Sequence, residues 1–122
     1  MKDEAPIDLR QRTRAFAVRV MRLGDSLPRT RSGNVVGSQI IRSGSSVGAH
    51  YREGTRSRSD AEVISKFETA LQELDETAYW LEVIVESGMM SARKVASLQK
   101  ETDELIAIFV TCVKKVKARR RR

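Results

Sequence analysis

Few residues in this chain have the type and spacing to do chemistry. His50 is the single histidine and Cys112 the single cysteine. A proton shuttle or a metal site needs partners at set spacing, as in H-E-x-x-H, and His50 has none. It reads as a polar position of a helix. Cys112 falls on an apolar stripe and reads as a small core residue. Glu68, Glu73, Asp75, Glu76, Glu82 and Glu86 crowd one segment. Two-metal carboxylate bundles draw Glu-x-x-His from facing helices, and no such motif occurs, so these acids are expected to form a solvated face. The chain has no Gly-rich phosphate loop between strand and helix, no G-x-S-x-G elbow and no Walker lysine. The expectation is a protein that is not an enzyme and holds no metal or cofactor.

The basic residues are a different matter. Lys114, Lys115, Lys117, Arg119, Arg120, Arg121 and Arg122 close the chain with no acid among them. Such a cluster suits phosphate binding, in which Lys and Arg displace condensed counterions. Its alternative is a solubilising end, favoured by placing cations at a helix C-terminus. No aromatic residue interleaves these charges, so base stacking is not expected, and binding would be electrostatic and weakly sequence-selective. Arg42, Arg52, Arg56 and Arg58 form a second candidate set around the middle of the chain.

The whole chain has 122 residues and a formal charge of +7, with 40% hydrophobic and 32% charged residues. That is one domain, too apolar for a disordered chain and suited to helices. One cysteine excludes a disulfide framework. The opening MKDEAPIDLRQR carries acids and bases before any apolar stretch and does not read as a signal peptide. The longest apolar stretch, residues 105–113, is far short of the roughly 20 residues a membrane span needs. A cytoplasmic protein with no membrane role is expected. Charge is unevenly spread: +4 over residues 1–32, +3 over 33–58, −7 over 59–105 and +7 over 106–122. A basic first half and an acidic third quarter suggest helices that attract one another.

Four segments must position these residues. Leu9, Thr13, Phe16, Val20, Leu23 and Leu27 step by 4, 3, 4, 3 and 4 until Pro28, which cannot continue a helix. Residues 29–34 then read as a basic loop. Ser59 and Glu62 form a capping box for a third helix. Its stripe is Val63, Phe67, Ala70, Leu74, Thr77, Leu81 and Ile84, with Ile64, Leu71, Ala78 and Val85 beside it. Gly88 is its stop. Ser91 can cap a fourth helix with stripe Val95, Leu98, Thr102, Leu105, Phe109, Cys112 and Val116. Residues 35–53 are weaker, since Gly37, Gly44 and Gly48 each cost about 1 kcal/mol against alanine in a helix. Val36, Ile40, Val47 and Tyr51 still keep helical spacing, and three apolar faces need a fourth partner. Small residues there would let a neighbouring helix approach closely. The fold class predicted is all-α, an antiparallel up-down four-helix bundle over residues 1–116, with a basic tail at 117–122. Trp80 and Val83 lie off the main stripe, and helices 3 and 4 have wide apolar faces, so a homo-oligomer is expected.

The stretch from Gln39 to Gly54, QIIRSGSSVGAHYREG, resembles the four-helix-bundle family first noted as proteins encoded in intervening sequences of 23S rRNA genes. That family's pattern is similar to Q-I-x-R-A-x-x-S-I-x-x-N-I-A-E-G. Gln39, Arg42, Ser46, Glu53 and Gly54 stand at matching positions, Arg56 and Arg58 follow in the turn, and Phe67, Ala70, Leu71, Glu73 and Leu74 continue the match. His50 replaces the usual asparagine and Arg52 a common alanine. The resemblance implies a left-handed up-down bundle, often a ring-like homopentamer. It also implies a relation to accessory proteins of diversity-generating retroelement reverse transcriptases, which bind nucleic acid through a basic surface. Glu53 is expected to pair with Gln39 or Arg42 of a neighbouring chain. The function expected is an oligomeric, RNA-leaning nucleic-acid-binding accessory factor. The alternative is a structural or protein-interaction scaffold with no nucleic-acid role.

Overall fold

A computed structural model describes residues 8–120, which form four helices: α1 (Leu9–Asp25), α2 (Arg31–Thr55), α3 (Asp60–Glu86) and α4 (Ala92–Arg120). Short loops make consecutive helices antiparallel. Gly24 meets Ile41 and Thr13 meets Gly48 across α1 and α2. Ser43 meets Thr77 across α2 and α3, and Lys117 meets Glu68 across α4 and α3. Arg12 on α1 reaches Glu101 on α4, while Arg19 reaches Ser97. The bundle closes, with α1 and α4 held more loosely than the other neighbours.

Local signals explain the helix ends. Asp8, Thr30 and Ser59 each accept a backbone N–H three residues on, removing an orphan donor from α1, α2 and α3. Thr30 takes the Gly33 amide at 3.0 Å. This corrects the reading of residues 29–34 as a loop: the cap starts α2 four residues earlier, and α2 runs past Glu53 to Thr55. Gly88 sits at φ +80°, and Met89 N–H donates to the Ile84 carbonyl at 3.0 Å. That left-handed residue ends α3 as expected for glycine.

The stripes meet in one core. Phe16, Val20, Ile40, Val47, Leu74, Leu81, Ile84, Leu105 and Phe109 are fully buried. Thr13, Thr77 and Thr102 are buried too, and each hydroxyl donates to the carbonyl four residues back, so none is left unsatisfied. Two stripe assignments shift. Ile64 rather than Val63 is buried on α3, and Val113 rather than Cys112 on α4. Cys112 instead lines an outer groove with Leu9, Tyr51 and Ile108. The half-covered thiol has its pKa pushed up by burial.

Arg12 grips α4 through two parallel bonds to Glu101, both 2.8 Å, and a third to Glu104 at 2.7 Å. Bidentate pairs of this kind are the stronger ion pairs. The guanidinium holds the Glu101 carboxyl below its usual range, against the opposing effect of burial. A carboxylate lowered in the folded state adds stability above its unfolded pKa and loses it as pH falls through the folded value. Glu101→Gln should therefore lower stability at neutral pH, and lower it less on the acid side of the usual glutamate pKa of about 4.3. Urea melts at both pH values check this. Parallel losses at the two pH values would show that the pair contributes nothing.

Candidate nucleic-acid interface

Spacing puts Gln39, Arg42, Ser46, His50 and Glu53 on one stripe of α2, and the stripe faces α3. Arg42 donates to Glu73 at 3.4 Å and also to Glu76, while Trp80 Nε1 donates to Glu76 at 3.2 Å. Glu53 pairs with Lys66 at 3.0 Å. His50 stands between Glu53, 3.6 Å from Nδ1, and Glu73, 3.9 Å from Nε2. Both distances are beyond a hydrogen bond. The result is a polar seam along α2 and α3, from Trp80 to Lys66. Hydrogen bonding by Arg42 lowers the Glu76 pKa, and hydrogen bonding by Lys66 lowers that of Glu53.

The seam bears on three expectations. Glu53 finds a partner within its own chain, Lys66, in addition to any contact with a neighbouring chain's Gln39 or Arg42. Glu73 and Glu76 belong to the seam, not to a purely solvated face, because α2 brings Arg42 against them. Arg42 thereby faces two carboxylates and sits midway along the bundle, away from the other basic candidates. Gln39 and Ser46 are half-buried, and Ser46 donates to the Ser43 carbonyl. Gly54 is required by close approach, since a Cβ there would lie 2.5 Å from Phe67 Cε1. Phe67 in turn stacks on Tyr51 at 5.6 Å and meets Phe109 edge-on at 5.7 Å. This aromatic cluster ties α2, α3 and α4 together beneath one end of the bundle.

That end collects the remaining basic candidates. Antiparallel order puts the C-terminal ends of α2 and α4 at the same end of the bundle, diagonally across it, with the 56–59 turn between α2 and α3 at that end too. Gly54, Ser57, Arg58, Asp60, Val116 and Arg119 line one shared hollow. Arg119 donates to Asp60 at 2.7 Å and lowers its pKa, and Lys117 pairs with Glu68 at 3.3 Å. Those two cations are therefore partly spent on α3. Arg52, Arg56, Arg58, Lys114, Lys115 and Arg120 are exposed, and among the described residues no carboxylate lies within ion-pair distance of them. Lys117, Arg119 and Arg120 form the last turn of α4, so the expected tail continues as helix through Arg120. Arg121 and Arg122 lie outside the described residues.

The family model for the 23S rRNA-intervening sequence protein matches residues 6–111. The chain belongs to this family. The match extends the likeness beyond α3 into most of α4. It stops short of Lys114. Among solved structures, a crystal structure of a protein of unknown function from the S23 ribosomal protein family, from Bacteroides thetaiotaomicron, is similar to this family member. The two share 31% identity at a TM-score of 0.83, over 88% of this chain and 99% of that one. Among curated proteins none matches the chain. No helix among the described residues is long and apolar enough to cross a membrane.

Proposed function

We propose that this protein is a non-catalytic, oligomeric accessory factor of the cytoplasm that binds structured RNA through the basic end of its bundle. The observation that carries this reading is that Arg52, Arg56 and Arg58 share one end of the bundle with Lys114, Lys115 and Arg120, none of them within ion-pair distance of a carboxylate among the described residues. Two separate basic stretches of sequence become one surface there. A surface of that kind reads phosphate and duplex shape more than base identity. Assembly is supported by Val18, Met21, Val35, Tyr79 and Val110, which are large, apolar and exposed. A homopentamer is the form the family resemblance implies, and a ring would repeat the basic end once per subunit.

One observation favours the scaffold reading. The family match ends at residue 111, so it takes in Arg52, Arg56 and Arg58 but not Lys114, Lys115 and Arg120, and only half of the basic end falls within it. Two measurements separate the readings. Light scattering should give a mass several times 13.8 kDa, and a monomer at micromolar concentration overturns the oligomer. RNA duplex and single-stranded RNA should both bind at low salt, with log K falling linearly in log salt. Absence of binding at low salt leaves the scaffold.

A further inference from the structure

The four grooves between neighbouring helices differ in charge. Between α2 and α3, Arg42 and Lys66 are matched by Glu73, Glu76 and Glu53. Between α3 and α4, Glu82 and Asp103 line the hollow, and Lys117 and Arg119 are paired with Glu68 and Asp60. Between α4 and α1, Arg12 is held by Glu101 and Glu104. The α1–α2 groove, like the hollow where Leu9 and Tyr51 meet Lys115 of α4, has no acid in its lining, and of the two it alone holds arginines. Thr13, Arg14, Ala17, Ser45, Gly48, Ala49 and Arg52 line it, and none of these is acidic.

Close packing makes this groove. A Cβ on Gly48 would lie 2.9 Å from Thr13 Oγ1, so the two backbones run near each other, and Ala17 and Ala49 leave the space outside them open. The hollow holds about 260 Å³. At about 30 Å³ of liquid volume per water, that is room for a phosphate and part of its sugar. Arg14 stands on one wall and Arg52 on the other. Arg10 and Arg56 repeat these positions one helical turn nearer the basic end. Guanidinium forks bind phosphate oxygens in pairs, and small residues let a backbone come close.

We infer that the α1–α2 groove seats one phosphodiester strand, which runs on from the basic end between Arg14 and Arg52. This rests on the nucleic-acid reading above and adds a track to it. The strand can come from RNA or DNA, because only its phosphates are gripped. Sequence preference should be slight, as no aromatic side chain lines the groove.

Two variants test it, using fluorescence anisotropy of a short uridine oligonucleotide, its DNA counterpart and an RNA duplex. Arg14→Gln should lower the salt slope by roughly 0.7 on single strands or 0.9 on a duplex. Arg14→Lys should restore most of it. Ala49→Glu, at an exposed position, puts a carboxylate between the two arginines and should lower the slope by about twice as much. Melting temperature and mass should stay as in the parent. If both variants keep the parental affinity and slope while neutralising the basic end abolishes binding, the groove is overturned and the end reading stands. If the full chain binds no nucleic acid at low salt, both fail. If either variant changes the mass by light scattering, the groove is a contact between copies and the inference is overturned.

Discussion

Gly44→Leu should lower the unfolding free energy by about 3 kcal/mol, near the upper end of overpacking costs. A Cβ at position 44 would lie 2.6, 2.7 and 2.9 Å from Val20 Cγ1, Cγ2 and Cβ. Val20 is fully buried and branched at Cβ, so it has no spare rotamer into which it can retreat. The remaining leucine atoms would then have to push α1 away from α2. Intrinsic propensity works the other way, since leucine regains roughly 0.8 kcal/mol over glycine in a helix. The steric cost is larger, so the net sign is a loss. For a domain stable by about 5–15 kcal/mol, that is a sizeable share. Gly44→Ala adds the Cβ alone and should lose less. Urea melts read both. A leucine variant more stable than the parent would mean that α1 does not rest on Gly44.

Neutralising the basic end should have the largest effect on binding. Arg56, Arg58, Lys114 and Lys115 are exposed, and no carboxylate pairs with them among the described residues. Changing all four to glutamine should take roughly 2.8 from the salt slope on single-stranded RNA and roughly 3.6 on a duplex. With the intercept at 1 M salt unchanged, affinity at 0.1 M falls about a thousandfold. Stability should hardly move: Arg56 ends α2 through its backbone N–H, which glutamine keeps, and exposed, unpaired side chains usually change stability by less than about 0.5 kcal/mol. Neutralising Lys117 and Arg119 instead should cost less slope per residue, since Glu68 and Asp60 already offset part of their charge. Equal losses per residue from the two sets would show that pairing with α3 does not matter to binding. An unchanged slope in the fourfold variant would remove the basic end as the site.

The helices were largely written in the sequence. Thr13, Phe16 and Val20, or Leu74, Thr77 and Leu81, recur at a spacing that only a helix turns to one side. Ser59 with Glu62 marked one start, and Gly88 one stop. The misplaced boundary at Arg31 had a local signal as well: Thr30 stands three residues before the Gly33 amide it caps. The Gln39-to-Gly54 pattern carries the family likeness in the sequence itself. Arg14 was missed as a basic candidate, although Arg10 and Arg14, like Arg52 and Arg56, stand one turn apart on their helices.

A helix is a local structure whose hydrogen bonds reach four residues back, so sequence alone determined the four elements, most of their apolar faces and the close-packing role of Gly44. Which cations remain available was decided elsewhere. Arg42, Lys117 and Arg119 look like their neighbours in sequence, yet each meets a carboxylate of α3 across the bundle. Cys112 and Val113 are adjacent and both small and apolar, and only the rotation of α4 against its neighbours turned Val113 inward. The union of the residue 52–58 arginines with the lysines of α4 is likewise tertiary, made by antiparallel order. Partners in an ion pair or a groove are set by the register and rotation of whole helices. Those are fixed where Gly44 receives Val20 and Gly54 receives Phe67, contacts between residues far apart in the chain.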